Sequence, residues 1–93
     1  MIIRYSRIAL AELDLIYTHI ELDNATAADD VKRRIQATID KLARFPTMGK
    51  AIEKLPGVYK LVIPQLPYSA YYKVVQDEIR IARIYHGARD IAL

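Results

Sequence analysis

A chain of 93 residues has room for one domain and one modest core, because at this size roughly two-thirds or less of the unfolded surface can be buried. With 14 Lys and Arg against 11 Asp and Glu the net charge of +3 is only mildly basic, and the lack of cysteine excludes disulfides, thiolate metal sites and cysteine nucleophiles. Hydrophobic residues make up 53% of the chain, yet no run of them approaches the ~20 that a membrane helix needs, so the excess belongs to the core or to a partner interface.

The opening MIIRYSRIAL is interrupted by Arg4 and Arg7 and lacks the apolar stretch and cleavage site of a signal peptide, so a cytoplasmic protein is expected. MIIRY reads as a short strand, and Ser6 is a good N-cap for a helix beginning at Arg7. From Arg7 to about Leu22, Leu10, Leu13, Ile16, Tyr17 and Ile20 recur at helical spacing and should form one buried face. LDNAT breaks that pattern, with Asn24 or Thr26 as the next cap, and a second helix is expected to run to about Phe45. Its apolar stripe is Ala28, Val31, Ile35, Ile39 and Leu42, and Pro46 closes it by disfavouring helical geometry at Phe45. The two helices form an antiparallel hairpin.

After Gly49 the period becomes strand-like: VYKLVI (Val58 to Ile63), YSAYYKVV (Tyr68 to Val75) and IRIARIYH (Ile79 to His86), separated by the turns PQLP and QDE. These three strands should form an antiparallel meander, and the opening strand must join it to satisfy its backbone. The expected fold is therefore β-α-α-β-β-β, one α+β domain over residues 1–93 with the helical hairpin on one face of a small antiparallel sheet. Alternation groups Lys60, Ser69, Tyr71 and Lys73 toward the face that the helices leave open. The last strand carries one arginine on each side, Arg80 and Arg83, and its facing is left open.

Little in the chain reads as a catalytic centre. His86 and Asp90 have the spacing of a helical metal pair, but Gly87 interrupts them, and the other histidine, His19, lies on a helix face among acids. No metal or cofactor is expected. Ser6 serves as a cap, Ser69 lacks a nucleophile-elbow glycine pattern, and Gly49, Gly57 and Gly87 form no phosphate-cradling loop. Basic residues dominate from Lys41 onward, where only Glu53, Asp77 and Glu78 oppose them before Arg89, so the second half should face an acidic partner.

YSRIALAELDLIYTHI, LARFPTMGK and GVYKLVIPQLPYSAYYKVVQDEIRIARIYHGARD, in that order and spacing, resemble the RelE/ParE superfamily of type II toxin–antitoxin toxins, the ParE branch more than RelE. The resemblance runs from Tyr5 to Asp90. It implies a cytoplasmic toxin with no membrane partner, neutralised by a ParD-like or RelB-like antitoxin, that either binds and inhibits DNA gyrase or cleaves messenger RNA on the ribosome. Of the RelE-like nuclease set, one lysine falls on Lys60 and the late arginine on Arg89. A second lysine position falls on Val62, the middle arginine falls on Ser69, and no tyrosine follows Arg89. His86 or Tyr85 would have to act as base or acid. The ParE reading needs no catalytic set, only a binding surface, for which Lys60, Tyr71, Lys73, Arg83 and Arg89 are the candidates; a third reading is an inactive member that binds only its antitoxin. The closing HGARD then reads as a structural motif, with Gly87 in a turn, His86 hydrogen-bonding across the sheet and Asp90 meeting Arg89 or backbone donors.

Overall fold

A computed structural model describes residues 1–87. In chain order it contains β1 (Ile2–Tyr5), α1 (Arg7–Asp23), α2 (Ala25–Asp40), a 3-10 turn (Lys41–Ala43), β2 (Lys50–Ala51), β3 (Val58–Val62), β4 (Tyr68–Val75) and β5 (Glu78–His86). Ser6 caps α1 as expected, and of the two candidates for α2 the cap is Asn24, not Thr26. Ser6 Oγ accepts from the Ala9 N–H at 2.9 Å, and Asn24 Oδ1 from the Ala27 N–H at 3.1 Å. The second helix stops earlier than its stripe implies, because the chain tightens into the 3-10 turn before Phe45 and Pro46.

The sheet order is β1-β5-β4-β3-β2. The meander β3-β4-β5 is antiparallel as expected, but the sheet as a whole is mixed, since β1 runs parallel to β5 with Ile2 opposite Glu78 and Tyr5 opposite Ile81. A parallel edge is a consequence of the topology: the helical hairpin lies between β1 and the meander and works as a crossover. The two-residue β2 is too short to show a period in the sequence.

Tyr5, Ile3, Tyr59, Leu61, Ala70, Tyr72, Ile79, Ile81 and Ile84 face the helices, where they meet Ala9, Leu13, Ile35, Ile39 and Leu42 in one core. Of the expected α1 stripe, Leu13, Ile16, Tyr17 and Ile20 pack on the core, and only Leu10 does not. Ala9 is fully buried, while Leu10 is exposed, because the small alanine allows α1 to sit close against β5. Leu66, in the turn between β3 and β4, packs against the core.

A bulge explains why the alternation of the last strand is illegible in the sequence. Tyr71 pairs with Arg83 but Tyr72 pairs with Ile81, so Ala82 is an extra residue that switches the phase. Ile79, Ile81 and Ile84 therefore all face the core, and Arg80, Arg83 and Tyr85 share the opposite face. Ser6 fixes the bulge from α1: its Oγ donates to the Ala82 carbonyl at 2.7 Å and its N–H to the Ile81 carbonyl at 2.9 Å.

Gly87 adopts φ +83, as its place after the strand requires, and its N–H donates to the Pro67 carbonyl. His86 crosses to β4 through its ring, packed edge-on to Tyr68 at 5.4 Å between centroids, and among the described residues it makes no hydrogen bond across the sheet. The expected Arg89–Asp90 pairing lies outside the described residues. No described helix is long and apolar enough to cross a membrane.

Candidate functional site: the basic sheet face

Two cross-strand rungs organise the face away from the helices. One runs Lys50, Lys60, Tyr71, Arg83 across β2, β3, β4 and β5. The other runs Val58, Lys73, Arg80, Arg4 across β3, β4, β5 and β1. Like charges side by side cost stability unless acids or a partner offset them. Glu78 answers part of this: Arg4 Nε and Arg80 Nε donate to its two oxygens at 2.7 and 3.0 Å, and those hydrogen bonds hold its carboxyl below the usual range.

In the first rung, aromatic rings separate the cations. Lys60 Nζ lies 5.9 Å from the Tyr71 ring centroid, Tyr71 meets Tyr85 edge-on at 5.5 Å, and the Arg83 guanidinium sits 4.6 Å from the Tyr85 centroid. Arg83 then wraps the sheet edge to Glu12 of α1, with Nη2 3.0 Å from Oε2. Glu12 Oε1 also accepts the Ile84 N–H at 2.9 Å, capping β5 where β1 has already ended. The same hydrogen bonds to Glu12 raise the Arg83 pKa above its ordinary value.

Lys60, Tyr71, Arg83 and Tyr85 are thus brought together, and Lys73 lies one rung away, exposed. Tyr71 is fully buried and so supports its neighbours instead of presenting its own ring. Ser69, assigned to the open face, is on that side but 1% exposed, so the face is closed there and not open. His86 is on the other side of the sheet: with His19, Leu15, Ile16 and Tyr68 it lines a pocket of about 340 Å³ beside α1. This convergence of the two histidines is not visible in the chain, where they are far apart. Among the described residues no three His, Asp or Glu side chains gather to hold a metal ion. Arg89 lies outside the described residues.

Gly49 supports Lys60 from below. Its N–H donates to Tyr72 Oη at 2.9 Å, and a Cβ built on it would lie 2.9 Å from the Lys60 carbonyl oxygen and 2.7 Å from Tyr72 Oη. Burial raises the Tyr72 pKa above its ordinary value, although the Gly49 N–H pulls it the other way.

Comparison with known proteins agrees with this architecture. The family model for the ParE toxin of type II toxin–antitoxin systems matches residues 3–91. Y4kP of Sinorhizobium fredii, provisionally classed as a toxin, is 33% identical over 85 residues, covering 91% of this chain and 86% of its own length. Toxin ParE1 of Caulobacter vibrioides is 41% identical over 58 residues, covering 61% of this chain and 60% of its own. Among solved structures, a chain of the chromosomal ParDE system from P. aeruginosa superposes with a TM-score of 0.81 at 30% identity, covering 94% of this chain and 96% of that one. The isolated E. coli RelE toxin superposes with a TM-score of 0.65 at 15% identity, over 96% of this chain and 86% of that one, and so shares the fold. The chain belongs to the ParE toxin family of type II toxin–antitoxin systems, within the RelE/ParE superfamily.

Proposed function

We propose that this ParE-family protein acts in the cytoplasm by binding DNA gyrase through the basic sheet face, and that a ParD-like or RelB-like antitoxin neutralises it. The observation that carries the binding reading is the placement of His86 on the opposite side of the sheet from Lys60. RNA cleavage through a 2′-hydroxyl needs a base, an acid and cations around one phosphate. Here the base candidate His86 is separated from the cations, and Arg83 is already neutralised by Glu12. A binding surface requires none of that convergence, and two rungs of cations suit an acidic protein face.

Ribosome-dependent RNA cleavage is the second reading, favoured by one feature: Lys60 and Tyr85 flank the same buried Tyr71. Gyrase supercoiling and cleavage of ribosome-bound message, assayed in parallel with the chain and its Lys60→Ala variant, separate the two. The gyrase reading expects supercoiling to be inhibited, with Lys60→Ala weakening inhibition by about fivefold or less. Cleaved message that falls on the order of 100-fold with Lys60→Ala, at unchanged supercoiling, reverses the order.

For the antitoxin, the supporting feature is a second apolar stripe on α1. Ile8, Leu15 and Leu22, seven residues apart, are 56, 70 and 82% exposed, on the side away from Ala9 and Leu13. A seven-residue spacing keeps side chains within about 20° of one line along a helix, the footprint of a partner helix or strand. Leu15→Glu is expected to weaken antitoxin binding by at least about tenfold in titration calorimetry while the melting temperature of the free toxin stays the same.

A further inference from the structure

The segment from Lys41 to Ile52 carries Lys41, Arg44 and Lys50 and not one acid. Elsewhere the arginines are largely offset: Arg4 and Arg80 by Glu78, Arg33 and Arg34 by Asp30, Arg83 by Glu12. Among the described residues, Lys41, Arg44 and Lys50 have no ion-pair partner. The negative end of the α2 dipole accounts for a cation or two at this place. It does not account for Phe45, which is 56% exposed next to Arg44.

The local backbone sets these groups side by side. In the 3-10 turn the Arg44 N–H donates to the Lys41 carbonyl at 3.1 Å, and the Phe45 N–H donates to the same oxygen at 2.9 Å. Residues three apart eclipse in such a turn, so Lys41 and Arg44 share a side. The Arg44 guanidinium lies 5.8 Å from the Phe45 ring centroid, and Pro46 then turns the chain so that the ring stands at a corner. A second turn, Met48 N–H to Phe45 carbonyl at 3.1 Å, returns the chain to Lys50, which pairs with Lys60 at the end of the first cationic rung.

We propose that this corner is a contact site for single-stranded nucleic acid, with a base stacked on the Phe45 ring and phosphates drawn to Lys41, Arg44 and Lys50. An exposed aromatic face flanked by unpaired cations is the arrangement that holds unpaired bases without reading their sequence. A duplex hides its base faces and gains only the charge term. An anionic lipid surface would answer to the same cations but would seat an apolar patch, and it gives no part to a flat aromatic face beside a guanidinium. The site lies at the end of α2 and uses neither Tyr85 nor Arg83, although it shares Lys50 with the first rung of the basic sheet face.

The test is fluorescence anisotropy of the full-length chain with a labelled twelve-nucleotide oligothymidine, its oligouridine counterpart, a duplex of the same length, and vesicles of phosphatidylserine and phosphatidylcholine. Single strands are expected to bind more tightly than the duplex, and affinity should fall about 20-fold between 50 and 200 mM salt if about three phosphates are engaged. Phe45→Ala should weaken single-strand binding about tenfold, and Phe45→Leu, which keeps apolar bulk but loses the flat face, nearly as much. Arg7→Ala, removing an exposed cation at the start of α1, should leave it unchanged. Unchanged single-strand binding in Phe45→Ala, or a loss for Arg7→Ala as large as that for Arg44→Ala, would mean that overall charge is being measured, and would overturn the site. Tighter binding to duplex than to single strand, or vesicle binding that Phe45→Leu preserves, overturns it as well.

Discussion

Gly49→Ala is expected to destabilise the protein by about 3 kcal/mol, the sum of a lost hydrogen bond and an overpacked contact. The added methyl would stand 2.7 Å from Tyr72 Oη and 2.9 Å from the Lys60 carbonyl, distances at which something has to move. Tyr72 cannot swing away cheaply, since its ring is fully buried and stacks on Tyr59 at 5.3 Å between centroids. The Lys60 carbonyl is fixed in the sheet between β2 and β4. Removing the hydroxyl separates the two causes. Tyr72→Phe alone should cost about 1 kcal/mol by leaving the Gly49 N–H unsatisfied, and in the double variant the two losses should sum to more than the measured total, because the side-chain half of the clash is gone. Urea unfolding of the four proteins provides the cycle. Strict additivity would show that Gly49 and Tyr72 are not coupled through this contact.

Glu12→Ala should have the next largest effect, and it should be local. The carboxylate joins α1 to the end of β5 by accepting from Arg83 and from the Ile84 N–H. Arg83 is more than a third exposed, so the ion pair itself contributes little. Most of an expected cost of about 2 kcal/mol comes from the Ile84 N–H, which loses its acceptor at a sheet edge that β1 no longer covers. Glu12→Gln retains an acceptor oxygen and should recover about half. Hydrogen exchange is the direct measurement: the Ile84 amide should exchange much faster in Glu12→Ala, while the Ile79 amide, in the part of β5 that β1 pairs, should change little beyond the global loss. Without Glu12 the charge of Arg83 is no longer offset at the basic face. Gyrase inhibition that strengthens in this less stable variant is the expected result if that face is the contact surface.

Much of this architecture could be read directly from the chain. The two helices, their caps at Ser6 and Asn24, the three meander strands and the stripe of α2 all rest on periodicity and local hydrogen bonding, which a sequence displays residue by residue. The likeness to the RelE/ParE toxins also depends on order and spacing along the chain. Lys60, Tyr71 and Lys73 could be placed on one side of the sheet because β3 and β4 alternate without interruption.

Tertiary structure decided what lies between distant residues. Ala82 carries no sign that it is the extra residue of a bulge; only the pairing of β4 with β5 makes it one, and it determines which face receives Arg83 and Tyr85. Whether His86 could join Lys60 depended on the same shift, which sends it instead to the α1 side beside His19. Glu12 reads as an ordinary solvated helix acid until β5 is laid against α1. Local preferences repeat along a few residues and are therefore written into the sequence, whereas register and facing are set by contacts between segments tens of residues apart, where one inserted residue reverses every side chain after it.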